Sequence, residues 1–467
     1  MEKRIVVIGS GLSGTLLANE LTASGRVTLL EKGPENACLS PEVVFRGKRL
    51  AQVDTFCYGG GGTTNLWHNG LIPIQEKDVT SSEFEEILVD AKPYIDRAAA
   101  RLFFPEESFA DRHGQLAKEF TSLIDGLAVA DDGVDCLLYP KKFRKLSPVS
   151  AVEAHYLVDA LDFLTIDGCV QKIRYSIGRQ QYSIAPDIVV VAAGAFGTPG
   201  ILRKIILSTG NRFSSLGAGL IDHPVGFVGK VRFRKEYARI FARMSISDHG
   251  DFISRSAIRL KSECGKYTCC AFFRPALTMS NNLDIYKYKS LLGASSGIER
   301  LKHIFSLKLL HPDILAEIVS HLFSVEIPGR TFNIFFVGEQ KNGQNSVGYD
   351  GEKIVVKWEI DEAEIAVYRQ VLEKLSGRLA GIADEINMKT DISSEWLWSE
   401  AHHSHTVPVG SGEEDLLDRD LKLKYCRNVY VCDGSVIREH SYANTGLTIG
   451  QLALRLASTI RQACEPV

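Results

Sequence analysis

The sequence has almost no net charge. Its 54 lysines and arginines stand against 57 aspartates and glutamates, giving a formal charge of −3. A general nucleic-acid binder needs a basic surface to meet phosphate, so that class is disfavoured and a small-molecule partner is expected. No long apolar run exists. The longest, Ile188 to Leu202, is broken by Gly194, Gly197, Pro199 and Gly200 and is too short to span a bilayer. Internal repeats and low-complexity segments are absent. The ten cysteines contain no CxxC pair, and only Cys264, Cys269 and Cys270 cluster. Free thiols in a reducing compartment are therefore expected, with no metal site. No export segment precedes the first strand near Arg4, so a cytoplasmic location is expected. What is present is ordinary: 467 residues, 45% hydrophobic and 24% charged. That is a folded chain of two or three domains, able to bury its core without disulfide staples.

Residues 4–8, Arg-Ile-Val-Val-Ile, form a short β-branched run expected as a buried parallel strand. Gly9-Ser10-Gly11-Leu12-Ser13-Gly14 follows, then an amphipathic helix and a second strand, Val27 to Leu30, ending in Glu31. Each part has a use in holding a dinucleotide. Gly9 permits the turn, Gly11 lets backbone approach a pyrophosphate, and Gly14 lets helix and strand pack closely. The helix start at Leu12 and Ser13 offers N–H groups and a positive dipole end. Glu31 is placed to accept ribose hydroxyls, and its charge opposes a ribose phosphate. The motif alone does not separate FAD from NAD.

Four further stretches follow in order: Gly59 to Trp67 (Gly-Gly-Gly-Gly-Thr-Thr-Asn-Leu-Trp), Ala192 to Pro199, Asp222-His223-Pro224, and a C-terminal region from His402 to Thr448. In order and spacing the chain resembles the glucose–methanol–choline (GMC) family of flavin-dependent oxidoreductases. The resemblance implies FAD, held without a covalent bond because Asn65 stands where some relatives carry a flavin-linked histidine. It implies a cofactor set of Gly9, Gly11, Leu12, Ser13, Gly14, Glu31, Gly61, Gly62, Thr63, Asn65, Leu66, Ala193, Gly194, Asp433, Gly434, Asn444 and Thr445, with the Val170 backbone at the adenine. It also implies an α/β (mixed α+β) fold: a Rossmann-like FAD-binding domain from 1–75, 130–230 and 400–467, a helical connection at 76–129, and a substrate domain at 231–399 built on an antiparallel sheet with helices.

The same resemblance supplies the chemistry. Residues 402–410 read His-His-Ser-His-Thr-Val-Pro-Val-Gly against a family pattern of His-x-x-Gly-Thr-x-x-Met-Gly. His402 then takes the place of the catalytic base, and His405 replaces a glycine. Asn444, eleven residues after Asp433, takes the place of its partner. The expected reaction is oxidation of an alcohol to an aldehyde or ketone, by proton abstraction and hydride transfer to the flavin. Oxygen or a redox partner is the electron acceptor. Glu339-Gln340 resembles a pair in sugar-oxidising relatives, so a sugar, glycoside or polyol is the expected substrate, with His403, His405 and Glu339 near it. A sterol-like or aliphatic alcohol, and a non-redox lyase or decarboxylase, are the alternatives. The apolar segment Ile304 to Val325 is expected to be a core helix interrupted at Pro312, ahead of a lid or a membrane-surface helix.

Overall fold

The computed structural model describes residues 2–47, 55–142, 144–210, 214–294, 306–341 and 343–464. Its first layer is a five-stranded parallel sheet. The strand order is Val429–Val431, Ile188–Val191, Lys3–Ile8, Gly25–Leu30, Glu153–His155. Ile5 pairs with Val27 on one side and Ile188 on the other, and Val191 pairs with Val431. The inner strands are buried on both faces, which is why they are unbroken apolar runs rather than alternating ones. The helix Leu12–Leu21 packs against the last helix, Thr445–Cys464.

The second layer is an eight-stranded sheet of antiparallel pairs. Its path runs Ser247–Asp248, Phe252–Lys261, Thr268–Pro275, Thr331–Val337, Pro224–Phe233, Ala383–Met388. Trp398–Ser399 joins Pro224–Phe233, and Val134–Pro140 joins Phe252–Lys261. These pairings cross the expected boundaries. Residues 134–140, placed in the flavin domain from sequence, lie in the antiparallel sheet. Lys353–Trp358, placed in the substrate domain, pairs instead with Val43–Gly47 beside the dinucleotide unit.

Helix limits also shift for local reasons. Within the helical connection expected at 76–129, the periodic apolar run from Phe84 to Leu102 forms two helices, Ser82–Ala91 and Ile95–Arg101, with a tighter turn at Lys92–Tyr94 where Pro93 lacks an N–H. The helix after Ala193 begins at Gly194, so Pro199 lies inside it. Proline cannot donate to the Ala195 carbonyl. The Thr406 hydroxyl donates to that carbonyl instead, at 2.8 Å. A hydroxyl from the C-terminal segment thus replaces the missing helix bond.

Two cysteines are not free. Cys38 and Cys57 form a disulfide across a sequence separation of 19 residues, against the expectation of free thiols throughout. Spacing carried no signal for it, because the bridge depends on the Leu39–Tyr58 backbone pairing that brings the two segments together. A loop of this size is worth about 3 kcal/mol in the chain-entropy account. Adding a reductant is therefore expected to lower the melting temperature, and a Cys57→Ser variant is expected to be insensitive to it; calorimetry with and without reductant checks both.

Candidate active site

The two layers meet over a cavity of about 1660 Å3. This exceeds the ~300–1,000 Å3 of ordinary small-ligand pockets and leaves room for a dinucleotide with a substrate beside it. At one end lies the glycine turn. A Cβ on Gly14 would come within 1.9 Å of the Gly9 carbonyl oxygen, so no other residue fits there. A Cβ on Gly11 would meet nothing within 4 Å, because Gly11 faces the cavity. Gly11 is also the N-cap of the following helix and makes no side-chain cap. Bare N–H groups at an open cradle suit a pyrophosphate.

The cavity wall contains Gly9, Gly11, Leu12, Ser13, Glu31, Gly62, Thr63, Leu66, Ala193, Gly194, Asp433, Gly434, Asn444 and Thr445. Gly14, Gly61, Asn65 and Val170 stand outside it. Asn65 donates to the Gly60 and Gly62 carbonyls at 3.0 and 2.8 Å, so it shapes the glycine loop from behind. Val170 binds the Asn428 side chain through both its N–H and its carbonyl, at 2.9 and 3.0 Å, which removes its backbone from an adenine. Residues 158–161 do line the cavity. Glu31 accepts from Ser10 N and Oγ, Gly33 N and Gly59 N, all within 3.0 Å. Four donors fill its lone pairs, so it ties the first turn to the Gly59 run. Asp433 accepts from Gly194 N at 2.9 Å and Ser435 N at 2.7 Å, fixing the turn that faces the cavity.

At the far side of this cradle is a histidine cluster. The strand segment at Ile221 pairs with Ser404, and Thr406 and Val407 donate to the Ser435 carbonyl. The 402–407 segment is gripped from both sides. His402 reaches the cavity, and so does Asn444, the residue before the last helix. Nδ1 of His402 lies 2.8 Å from Nδ1 of His223. One of the two must carry the proton. This single hydrogen bond links the two rings. His223 Nε2 is buried with no hydrogen-bond partner among the described residues, and burial lowers this imidazole well below the usual range. Burial lowers His402 to about 4, more than the Asp222 charge raises it. Burial likewise lowers His440 to about 3 and His405 to about 4. The imidazole at the cavity is therefore neutral near pH 7.

Asp222 organises the cluster. It accepts from His223 N at 2.7 Å, from His402 N at 3.0 Å and from the Ser399 hydroxyl, and it lies 2.9 Å from His403 Nδ1. Burial raises its carboxyl, but the charge and hydrogen bond of His403 with these donors outweigh burial and hold it below the usual range. The sequence marked Asp222-His223 as a motif without showing this use.

The residues expected near substrate are not there. His403 stacks on Phe196 at 4.4 Å and meets Thr55 Oγ1 at 2.9 Å, away from the cavity. His405 occupies φ +58°, the left-handed region that favours the family's glycine, and its ring covers Gly219. Glu339 is fully buried behind the sheet, accepting from Thr268 N at 2.7 Å, and burial raises it to about 8. Gln340 accepts from Asp222 N and Trp358 Nε1. The pair that resembled a sugar site is part of the core.

The helix Pro312–Phe323 is not a core helix either; residues 304 and 305 lie outside the described residues. Ile314, Ile318 and Leu322 line the cavity, while Leu315 and Val319 face outward. It packs on the helix Leu283–Ala294 through a small cluster of Ile285, Tyr288 and Ile314, separate from the main core. Both helices contribute to the cavity wall.

A family model described as GMC oxidoreductase matches residues 349–453, the stretch that contains His402 and Asn444. The match is to the C-terminal part of the chain and bears on that stretch. An uncharacterized protein of Methanocaldococcus jannaschii is 23% identical over 212 residues, 43% of this chain and 51% of that protein, so the match spans about half of that relative. The crystal structure of pyridoxine 4-oxidase from Mesorbium loti superposes with a TM-score of 0.60 at 13% identity, covering 98% of this chain and 99% of that one. At that identity the likeness is one of fold: a parallel sheet joined to an antiparallel sheet. Among the described residues no helix is long and apolar enough to cross a membrane, and no group of metal-ligating side chains gathers.

The Asp222 carboxylate yields a signed prediction. Its stability contribution is complete above the ordinary carboxylate pKa of about 3.9 and is lost as pH falls through its lower folded value. Asp222→Asn is expected to cost about 2–3 kcal/mol near neutral pH and to shed this part of the acid sensitivity. Thermal melts of both proteins from about pH 7 down to about pH 3 check the sign.

Proposed function

We propose that this protein acts as a GMC oxidoreductase and oxidises an alcohol to an aldehyde or ketone, with His402 as base and Asn444 as the group that orients the hydroxyl. The observation that carries the reading is the neutral His402 imidazole, held by His223 at the wall of the cavity that Asn444 shares. FAD, seated without a covalent bond along the glycine cradle, supplies the acceptor for the hydride that leaves the same carbon. His402 takes the hydroxyl proton. Asn444 holds the oxygen so that one C–H bond has a single direction, which is where positioning contributes. The first turn of the last helix places its positive dipole end at the cavity, worth about 0.3–1 kcal/mol for nearby negative charge and up to about 2 kcal/mol when partly buried. His223 acts through His402 as a positioning residue. The sugar or polyol reading loses its support, because Glu339 does not reach the cavity.

His402→Ala is expected to keep its yellow colour yet slow anaerobic flavin reduction by about 10²–10⁴-fold. Unchanged reduction kinetics in that variant would remove His402 from the chemistry. Because His402 is lowered to about 4, kcat/KM is expected to stay level from neutral pH downward and to fall only as pH approaches that value. Acid precipitation is expected to release all the flavin into solution; colour left in the pellet would mean a covalent link, with His68, which also lines the cavity, as the first position to test.

A further inference from the structure

We propose that the Cys38–Cys57 bridge is a thiol-exchange site: a dithiol reductant opens it through Cys38, and its state sets how tightly the glycine cradle holds its dinucleotide. The inference rests on the cradle reading and not on alcohol oxidation. The two sulfurs stand in different surroundings. Cys38 is exposed, whereas Cys57 is 2% exposed and lines the cavity together with Gly9, Gly11 and Ser13. One end of the bond is open to a thiol in solution. The other end is part of the wall of the cofactor site. Exchange depends on access to the attacked sulfur, and Cys38 supplies that access.

What the bridge ties down is the backbone of the cradle. The chain from Pro34 to Leu39 runs against the glycine run. The Pro34 carbonyl accepts from Gly60 N at 3.0 Å, and a Cβ on Gly59 would come within 2.1 Å of the Ala37 carbonyl oxygen. Leu39 and Tyr58 exchange both backbone hydrogen bonds, at 2.9 and 2.8 Å. The glycine run in turn lies against the first turn. Gly61 N donates to the Ser10 carbonyl at 3.0 Å, and a Cβ on Gly62 would come within 2.9 Å of the Gly11 Cα. Cys57 Sγ lies 3.3 Å from the Gly62 carbonyl oxygen. Contacts therefore pass from Cys38 to Cys57, to Gly62 and to Gly11, with a covalent bond at the outer end. With the bridge closed, this glycine-rich backbone is ordered before the ligand arrives. With it open, the ordering that the bond supplied is subtracted from binding.

The exchange balances with a dithiol as the co-reactant. One thiolate of the reductant attacks the Cys38 sulfur and forms a mixed disulfide, while the Cys38–Cys57 bond breaks and Cys57 leaves as a thiolate. The second thiolate of the reductant attacks the mixed disulfide, and Cys38 leaves in turn. Two electrons pass to the protein, both cysteine thiolates take up a proton, and the reductant departs as its own disulfide. The freed Cys57 thiol has the Gly62 carbonyl within reach, but a thiol is a weak donor and does not replace the lost covalent tie.

The test reads FAD binding to the full chain and needs no alcohol. Three samples are compared: oxidised wild type, wild type treated with dithiothreitol and freed of it under argon, and Cys38→Ser. Each is diluted, and released flavin is read by its fluorescence. The FAD dissociation constant is expected to rise about 5–100-fold on treatment, to be raised alike in untreated Cys38→Ser, and to change no further when that variant is treated. Linkage requires the reciprocal effect. FAD is expected to make the bridge harder to reduce by the same factor, about 30 mV lower in potential for each tenfold. Alkylation of Cys38 and Cys57 across a series of thiol buffers, with and without FAD, measures it. Equal FAD constants in the open and closed forms, with no shift in potential, overturn the proposal and leave the cradle standing. No FAD binding in either form overturns the cradle and the proposal together. Alkylation of Cys57 in fully oxidised protein overturns the bridge itself.

Discussion

The buried Asp222 carboxylate is the interaction on which the catalytic end depends. It stands at the entry to the central strand Pro224–Phe233 and gathers the backbone of His223, the backbone of His402, the Ser399 hydroxyl and the His403 ring. Gln340, itself bound to Trp358, fixes the Asp222 backbone from the core side. One charge thereby sets the position of two imidazoles, and those imidazoles set each other's tautomer. A charge with so many donors remains ionised in the interior, where an unpartnered one would take a proton instead.

Division of labour between the sheets follows from this. The parallel sheet presents backbone: a turn at Gly9–Gly14, a turn at Gly194, and a helix start at Thr445. The antiparallel sheet presents side chains, with Phe227, Phe272, Arg274 and Phe335 on its cavity face. A cofactor shared by many reactions meets the invariant geometry of main chain. A particular substrate meets groups that differ from one sequence to the next.

What was legible in the sequence was local. The unit from Arg4 to Glu31, the strand Ile188–Val191 and the stretch His402 to Thr448 are continuous in the chain, and their periodicity or spacing survives folding. What was not legible depends on contacts between distant segments. Arg255, Arg274, Lys289 and Glu317 are unremarkable singly and become an ion cluster only when two strands and two helices converge. The Cys38–Cys57 bridge and the His223–His402 pair are hidden for the same reason. Glu339 misled because its type and place in the order resembled a substrate contact, whereas its burial behind the sheet is a tertiary fact.

The order of the parallel sheet bears on how the molecule comes to exist. Its outer strand, Val429–Val431, pairs with Ile188–Val191, and the helix Thr445–Cys464 packs against Leu12–Leu21. The first strand made must therefore wait for more than four hundred residues of chain before its layer is complete. At a synthesis rate of about 5–20 residues per second, that is an interval of tens of seconds during which an apolar edge stands open. Contacts of such long sequence separation also close slowly. The antiparallel sheet, whose strands lie between 134 and 399 and are all made within that interval, is positioned to fold first and to offer the early segments a surface to lean on.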